Sequence, residues 1–315
     1  MPFVTAFYRA LGTGMVISVD SPIDDKVRSA MESLIEDYEH VLSRFRNDSL
    51  IAAIGKAEHG GSFDFPDWCA PLFDLYDALF SATSGAIDPC VGEDLIRLGY
   101  DASLSFTVTQ DAPEHLGALR GRAVWGRDVT RHGTTLVTHE PVQLDFGACG
   151  KGYLVDLLGR MLQSSQFVID AGGDLLIHAE QPISVALEDP EDQSHAIGIA
   201  HIANGALCAS APSRRRWNVA VNERTQIAIH HLLNAIDGLP TQQTEASWAY
   251  IPANATLNLA RDYPTAVADG LATALFVSDV AQLQRTFDFT YATLDESRQI
   301  AVSRNFPAEL FLRSA

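Results

Sequence analysis

The stretch Phe167-Val-Ile-Asp-Ala-Gly-Gly-Asp-Leu-Leu-Ile-His-Ala179 reads as a strand, a Gly-Gly turn and a second strand. Large and β-branched apolar residues fill both arms. The paired glycines give the backbone the freedom a tight reversal needs, and Asp170 and Asp174 stand at its two ends. Working outward, residues of about 151–163 form a helix just upstream, and 183–188 and 196–202 continue downstream as strands. Farther upstream, 12–20 (GTGMVISVD) is an opening strand, followed by an amphipathic helix from about Asp24 to Arg46. Its apolar residues Val27, Met31, Leu34, Ile35, Tyr38, Val41, Leu42 and Phe45 recur at steps of three and four. Ser21-Pro22 supplies its N-cap and first-turn proline. A second helix spans about 67–83 and stops at Ser84-Gly85, and a late one spans 267–277. Segments 100–130 and 212–230 carry the weakest pattern, and one of them is a candidate flexible surface insertion. Helices and strands intermix without a regular βαβ period and without repeats. This predicts an α+β fold of mixed α/β layers, built as one domain over 1–315 or as two intimate lobes.

Composition excludes several function classes. Forty acidic against 22 basic side chains give a formal charge of −18 in 315 residues, which repels nucleic acid and anionic membranes. An anionic ligand would need a local cation to offset that field. The longest charge-free run, Gln193–Ser213, holds two histidines, Gln, Asn and Pro, so no membrane insertion is expected. The N-terminal residues lack a basic region followed by an apolar one, which points to a cytoplasmic protein. Cys69, Cys90, Cys149 and Cys208 show no CxxC pair and no metal-ligand spacing, and are expected as reduced, buried thiols.

Four segments carry chemically suggestive residues. In Asp145-Phe-Gly-Ala-Cys-Gly-Lys151-Gly152-Tyr153, a glycine-rich turn meets a lysine at a helix start. Small residues let backbone approach a phosphate, helix-start N–H groups point at it, and Lys151 adds a charge. The glycine spacing is too short for a Walker A loop, and a plain tight turn with a solvated lysine remains the alternative. In Asp269-Gly-Leu-Ala-Thr273 a carboxylate and a hydroxyl share one helix face, which suits an oxygen-ligated Mg²⁺, or equally an unrelated pair near a helix start. His230-His231-Leu-Leu-Asn234 leads into Asp237-Gly238-Leu-Pro240 and offers a general base or a structural histidine. Gly85-Ala-Ile-Asp88-Pro89 and Asp170–Asp174 are turns with acids beside glycine.

Taken in order, GT (12–13), LSRFRNDS (42–49), SGAIDPCVG (84–92), LDFGACGKGYLVD (144–156), IDAGGDLL (169–176), HLLN with GLP (231–240) and ADGLATALFV (268–277) resemble the ApbE family of flavin transferases. The match runs over roughly 8–280, with GxxxKGxxxD and DxxxT its most specific parts. The resemblance implies an ApbE-like fold, helices on mostly antiparallel or mixed sheets, with an FAD and Mg²⁺ cleft. It implies transfer of FMN from FAD to a Thr or Ser hydroxyl of an acceptor protein, with release of AMP. Lys151 and Asp145 would bind FAD. Asp269, Thr273 and the Ala148 carbonyl would hold Mg²⁺. Ala86, Ile87 and Asp88 would line the cleft, with Leu11, Asp174 and Ser210 also on the cofactor. Phe45 stands where an aromatic meets the flavin, and Leu233 would contact the flavin nucleotide. His231, with Asp269 and Lys151, would carry the catalytic step.

The sequence also departs from the family pattern. Leu11 replaces a methionine, Ala209-Ser210-Ala211 a Thr-Ser-Gly segment, Ser213-Arg214-Arg215 a Tyr-Glu-Arg, and Asn234-Ala235 an Asp-Pro. Gly55 and Leu50 stand for an Asn and a Glu. Two other activities share the same binding residues: a Mg²⁺-dependent FAD pyrophosphatase and a non-catalytic FAD-binding protein.

Overall fold

The computed structural model of the chain describes residues 1–222 and 225–311. In chain order, β1 (Phe3–Ala10) and β2 (Thr13–Val19) precede α1 (Asp25–Leu42), α2 (Leu50–Gly55), β3 (Gly61–Asp64) and α3 (Ala70–Ala82). Next come α4 (Gly92–Arg97), α5 (Ala112–His115), β4 (Val129–His132), β5 (Thr135–Thr138) and α6 (Gly150–Gly159). Strands β6 (Phe167–Asp170), β7 (Asp174–Glu188), β8 (Ala196–Ser210), β9 (Arg216–Asn222), β10 (Thr225–His230), β11 (Leu233–Asn234), β12 (Leu239–Pro240) and β13 (Thr244–Pro252) follow. The chain continues with α7 (Asn258–Asp262), α8 (Pro264–Ala274), α9 (Val280–Leu283), β14 (Thr290–Asp295), β15 (Ile300–Val302) and β16 (Ala308–Leu310).

The main sheet runs β1-β2-β6-β7-β8-β13-β14-β15, with β16 on β8, and its pairings are antiparallel. The α+β expectation therefore holds. Alternation divides the sheet's side chains. Ile17, Ile169, Ala206, Ala249 and Ile251 face α1, α3, α6 and α8 in the larger core. Ile177, Leu187, Ile202, Leu207, Trp248 and Leu294 form a second core on the other face. A third cluster, Leu95, Leu98, Leu116, Trp217, Ile229 and Leu233, fastens the 92–116 region to the β9–β10 hairpin.

The turn that opened the sequence reading is present. Gly172 and Gly173 take φ of +72° and +109°, and Asp170 accepts from both of their N–H groups at 2.9 and 3.2 Å. Expected strands 167–179 and 183–188 merge on their second arm into the 15-residue β7, with a register shift between His178 and Ile183 where Pro182 interrupts pairing. The opening strand is preceded by another, β1, its hairpin partner.

Helix α1 buries Met31, Ile35, Tyr38 and Leu42, as its spacing predicts. Its cap is Asp24, not Ser21-Pro22, and accepts Lys26 N–H at 2.8 Å. It ends at Leu42 rather than Arg46, because Ser43 turns extended and Arg44 reaches Asp145 and the Tyr100 carbonyl. The late helix starts earlier than predicted, on Pro264, and α6 ends at Gly159. All four cysteines are free and buried. Segment 212–230 is largely the β9–β10 hairpin, and residues 223 and 224 of that expected insertion lie outside the described residues. Among the described residues no helix is long and apolar enough to cross a membrane.

Candidate active site

Helices α6 and α8 touch at their beginnings. A Cβ placed on Gly152 would lie 2.3 Å from the Thr265 carbonyl oxygen, so glycine there permits the contact. Neither helix carries a side-chain cap on its own N-cap residue, Cys149 or Tyr263. Each is capped by the other. Asp269 of α8 accepts Gly152 N–H at 3.0 Å, and Asp156 of α6 accepts Thr265 N–H at 3.1 Å and Ala266 N–H at 2.8 Å. These buried carboxylates sit on the positive ends of two helices, where backbone N–H groups otherwise lack partners. Burial still dominates at Asp156 and pushes its pKa up to about 7 against those hydrogen bonds.

The same contact places Lys151. Its Nζ lies 2.8 Å from Asp174 Oδ2, at the start of β7, and 3.2 Å from Asp269 Oδ1. Both carboxylates are about 1% exposed, whereas the lysine side chain is a third exposed, its ammonium turned onto the two carboxylates. One ammonium against two buried carboxylates leaves an excess negative charge. Burial and the neighbouring Asp174 push Asp269 up to about 7, while Lys151 and Gly152 N–H pull it down. Burial disfavours the Lys151 cation, but Asp174 and Asp269 outweigh it and raise its pKa, so it stays charged.

One turn beyond Asp269, Thr273 Oγ1 donates to the Ala148 carbonyl at 3.4 Å and lies 3.4 Å from Ser210 Oγ. Carboxylate, hydroxyl and carbonyl oxygens thus line adjoining positions on α8, the 145–150 turn and the end of β8. Among the described residues no group of three His, Cys, Asp or Glu side chains is arranged to hold a metal. A cation here would use mixed oxygen donors. That set, beside uncompensated carboxylate charge, fits a hard divalent ion such as Mg²⁺.

The 145–150 turn is fixed from both sides. Asp145 Oδ1 accepts Gly147 N–H at 2.6 Å, its Oδ2 pairs with Arg44, and Tyr38 Oη donates to the Gly150 carbonyl at 2.7 Å. Arg44 also lies over the Phe45 and Tyr100 rings at 4.1 and 4.7 Å. Tyr100 in turn stands edge-on to His231, with ring centroids 6.3 Å apart. His231 follows β10, and its Nδ1 is 3.4 Å from the Arg215 carbonyl. Burial, reinforced by His230 and by the charges of Lys151 and Arg215, outweighs the hydrogen bond to the Arg215 carbonyl and pushes its pKa down to about 4, so its imidazole is neutral at pH 7.

The structure thus brings Lys151, Asp174 and Asp269 into contact, joins Thr273 to Ala148 and Ser210, and links Asp145 to Phe45 and His231 through Arg44 and Tyr100. Leu11 lies on the β1–β2 turn with φ of +55°, its N–H on Glu39 at 2.8 Å, and the adjoining Thr13 abuts Gly172. Ala86, Ile87, Asp88 and Leu233 are buried. The Asp88 carboxylate turns inward, to Arg122 and to Cys90 N–H at 2.8 Å, which leaves no free oxygen of that group on the cleft. Ala235 N–H donates to the Ala86 carbonyl at 3.0 Å, so this segment and the loop after His231 form one wall. Sequence reasoning assigned no role to Arg44, Tyr100, Asp156 or Arg122. Arg44 and Asp156 lay inside quoted motifs, but only the fold shows what they hold.

The profile of the ApbE family matches residues 11–293. The FAD:protein FMN transferase of Klebsiella pneumoniae is 23% identical over 274 residues, covering 83% of this chain and 74% of its own length. That of Treponema pallidum is 25% identical, with coverage of 80% and 72%. The ApbE protein of Thermotoga maritima superposes with a TM-score of 0.78 at 19% identity, covering 98% of this chain and 99% of its own. The flavin transferase ApbE of Vibrio cholerae gives 0.76 at 17%, covering 96% and 97%. These likenesses span nearly the whole molecule, and the chain belongs to the ApbE family.

Proposed function

We propose that this chain is a Mg²⁺-dependent FAD:protein FMN transferase, with FAD and the cation held in one cleft of a single domain over 1–315. The observation that carries the reading is the Lys151–Asp174–Asp269 cluster beside the Thr273 and Ala148 oxygens. A buried site with surplus negative charge and one partly exposed lysine suits a metal–pyrophosphate, which supplies positive charge to the carboxylates and phosphate oxygens to the lysine. The relatives named FAD:protein FMN transferase support the same assignment. Asp269, Thr273 and the Ala148 carbonyl would hold Mg²⁺, whose contribution is to neutralise charge on the pyrophosphate.

The reaction is a phosphoryl-type displacement in which positioning and charge neutralisation dominate. The hydroxyl oxygen of an acceptor Thr or Ser forms a bond to the FMN-side phosphorus. The phosphorus–oxygen bond to AMP breaks, and AMP leaves with that electron pair. Lys151 steadies the phosphate oxygens. Neutral His231 takes the hydroxyl proton, the Arg215 carbonyl fixing a proton on Nδ1 and leaving Nε2 to accept. Its depressed pKa makes it a weak base, suited to help in the transition state rather than to form an alkoxide beforehand. Asp145, Phe45 and the wall at 86–88 and 233 would orient the nucleotide.

The test incubates a threonine-bearing acceptor domain with this protein and FAD, in Mg²⁺ or in EDTA, and follows in-gel flavin fluorescence and AMP release together. The proposal requires a fluorescent acceptor band and matching AMP in Mg²⁺ alone. AMP with free FMN and no labelling favours the pyrophosphatase, and flavin binding without turnover favours a storage protein.

A further inference from the structure

Next to His231 the surface carries a feature that binding a nucleotide does not explain. The loop 101–106 is built rigidly around Asp101, whose carboxylate accepts Ser103 N–H at 2.8 Å, Ser103 Oγ at 2.7 Å and Ser105 N–H at 3.1 Å. Phe106 N–H closes the loop onto the Gly99 carbonyl at 2.7 Å. Within it, Leu104 and Phe106 both adopt left-handed backbone, with φ of +53° and +48°, a conformation bulky side chains avoid. Even so, Leu104 stays 46% and Phe106 40% exposed. Strained backbone that holds apolar side chains out in water points to a contact made elsewhere.

The loop continues into the site. Phe106 packs on Trp217 and Tyr100, with centroids 5.5 and 6.4 Å away, and Tyr100 is the residue edge-on to His231. Arg215 borders it, its Nε donating to Tyr100 Oη at 3.3 Å. Arg214 is paired with Glu188 at 2.8 Å, but Arg215 has no carboxylate within ion-pair distance among the described residues. Exposed aromatics with an arginine are the composition of a protein-binding hot spot.

Resting on the transferase reading, we propose that Leu104, Phe106 and Arg215 form a docking rim for the acceptor polypeptide. The rim favours an acceptor segment with an apolar residue and a carboxylate close to the target hydroxyl. The overall charge of −18 does not oppose this. Exposed charges beyond about 10 Å are largely screened at ordinary salt, so the charge in contact, Arg215, decides.

The probes are three dye-labelled peptides with one threonine between apolar residues, alike except for aspartate, asparagine or lysine beside it. Anisotropy with the full chain measures their affinity. The native protein should bind the aspartate peptide about tenfold more tightly than the lysine peptide, and Arg215→Glu should invert that order. Arg216→Glu makes the same charge change on the opposite face of β9 from Trp217 and should leave the order intact. Phe106→Ala should weaken all three peptides about equally, and FAD affinity should be unchanged in Phe106→Ala and Arg216→Glu. No measurable peptide binding, no preference in the native protein, equal effects of the two arginine variants, or equally strong competition by single-stranded oligothymidylate would each overturn the proposal. Docking with this pattern but without FMN transfer to the peptide contradicts the transferase reading and leaves the rim standing.

Discussion

Asp156→Asn probes the brace between α6 and α8 with almost no change of volume. The native carboxylate accepts two helix-start N–H groups, at 3.1 and 2.8 Å, from a position 2% exposed. Asparagine keeps one accepting oxygen and turns an NH₂ group toward the second N–H. One hydrogen bond to a charged group is lost, about 1.5–3 kcal/mol, and a buried donor is left without a partner. Burial already weakens the native carboxylate by pushing its pKa up, which argues for the lower half of that range, about 2 kcal/mol. At roughly 1.5 °C per kcal/mol for a chain of this size, Tm should fall by about 3 °C. The second consequence is catalytic. The brace fixes the contact that aligns Lys151 with Asp269, and misplacement by about 1 Å can cost on the order of a hundredfold in rate. FAD turnover, followed as AMP release well below Tm, should therefore drop about ten- to a hundredfold. An unchanged Tm refutes the brace, and a lowered Tm with native turnover refutes its link to the site.

Asp269→Ala should abolish Mg²⁺-dependent FAD turnover while a folded chain remains by circular dichroism, since it removes a carboxylate oxygen from the cation site. Native turnover in that variant would remove the metal assignment. His231→Ala should lower kcat for transfer by about ten- to a hundredfold, the usual range for a positioned general base being about 10²–10⁴ and this base being weak. FAD affinity by fluorescence quenching should change little, and equal losses in both would recast His231 as structural. Mg²⁺ affinity by calorimetry should fall as pH drops below about 7, because Asp269, raised by burial and Asp174, then holds a proton the cation must displace. The stability contribution has the matching sign. A carboxyl raised in the folded state favours folding below its unfolded pKa and loses that contribution as pH rises through about 7, where Mg²⁺ should restore it. Affinity flat across that window contradicts the assignment of Asp269 to the cation.

Much of this was legible in sequence because the signals were local. The Gly172-Gly173 reversal, the apolar steps of α1 and the pairing of Asp269 with Thr273 along a helix need only short-range geometry. Helix ends were misjudged where a distant partner decided them. α1 stops at Leu42 because Arg44 is drawn to Asp145, 101 residues away, and α8 begins at Pro264 under a cap supplied by Asp156. The same limit explains the site residues left without a role. Arg44, Asp156 and Arg122 act only through contacts across the chain. Asp88 looked like an acid on a turn, and its buried pairing with Arg122 follows from the placement of 117–125, where no periodicity was readable.

In the proposed reaction FMN moves from FAD onto a protein hydroxyl. Intact-mass spectrometry of an acceptor domain, incubated with this protein, FAD and Mg²⁺, reads that event directly. The account predicts a mass gain equal to one FMN less one water, matched by one AMP, mapped to a single Thr or Ser and absent when that residue is alanine. An acceptor of unchanged mass while FAD is split to FMN and AMP would contradict it and make the protein a hydrolase.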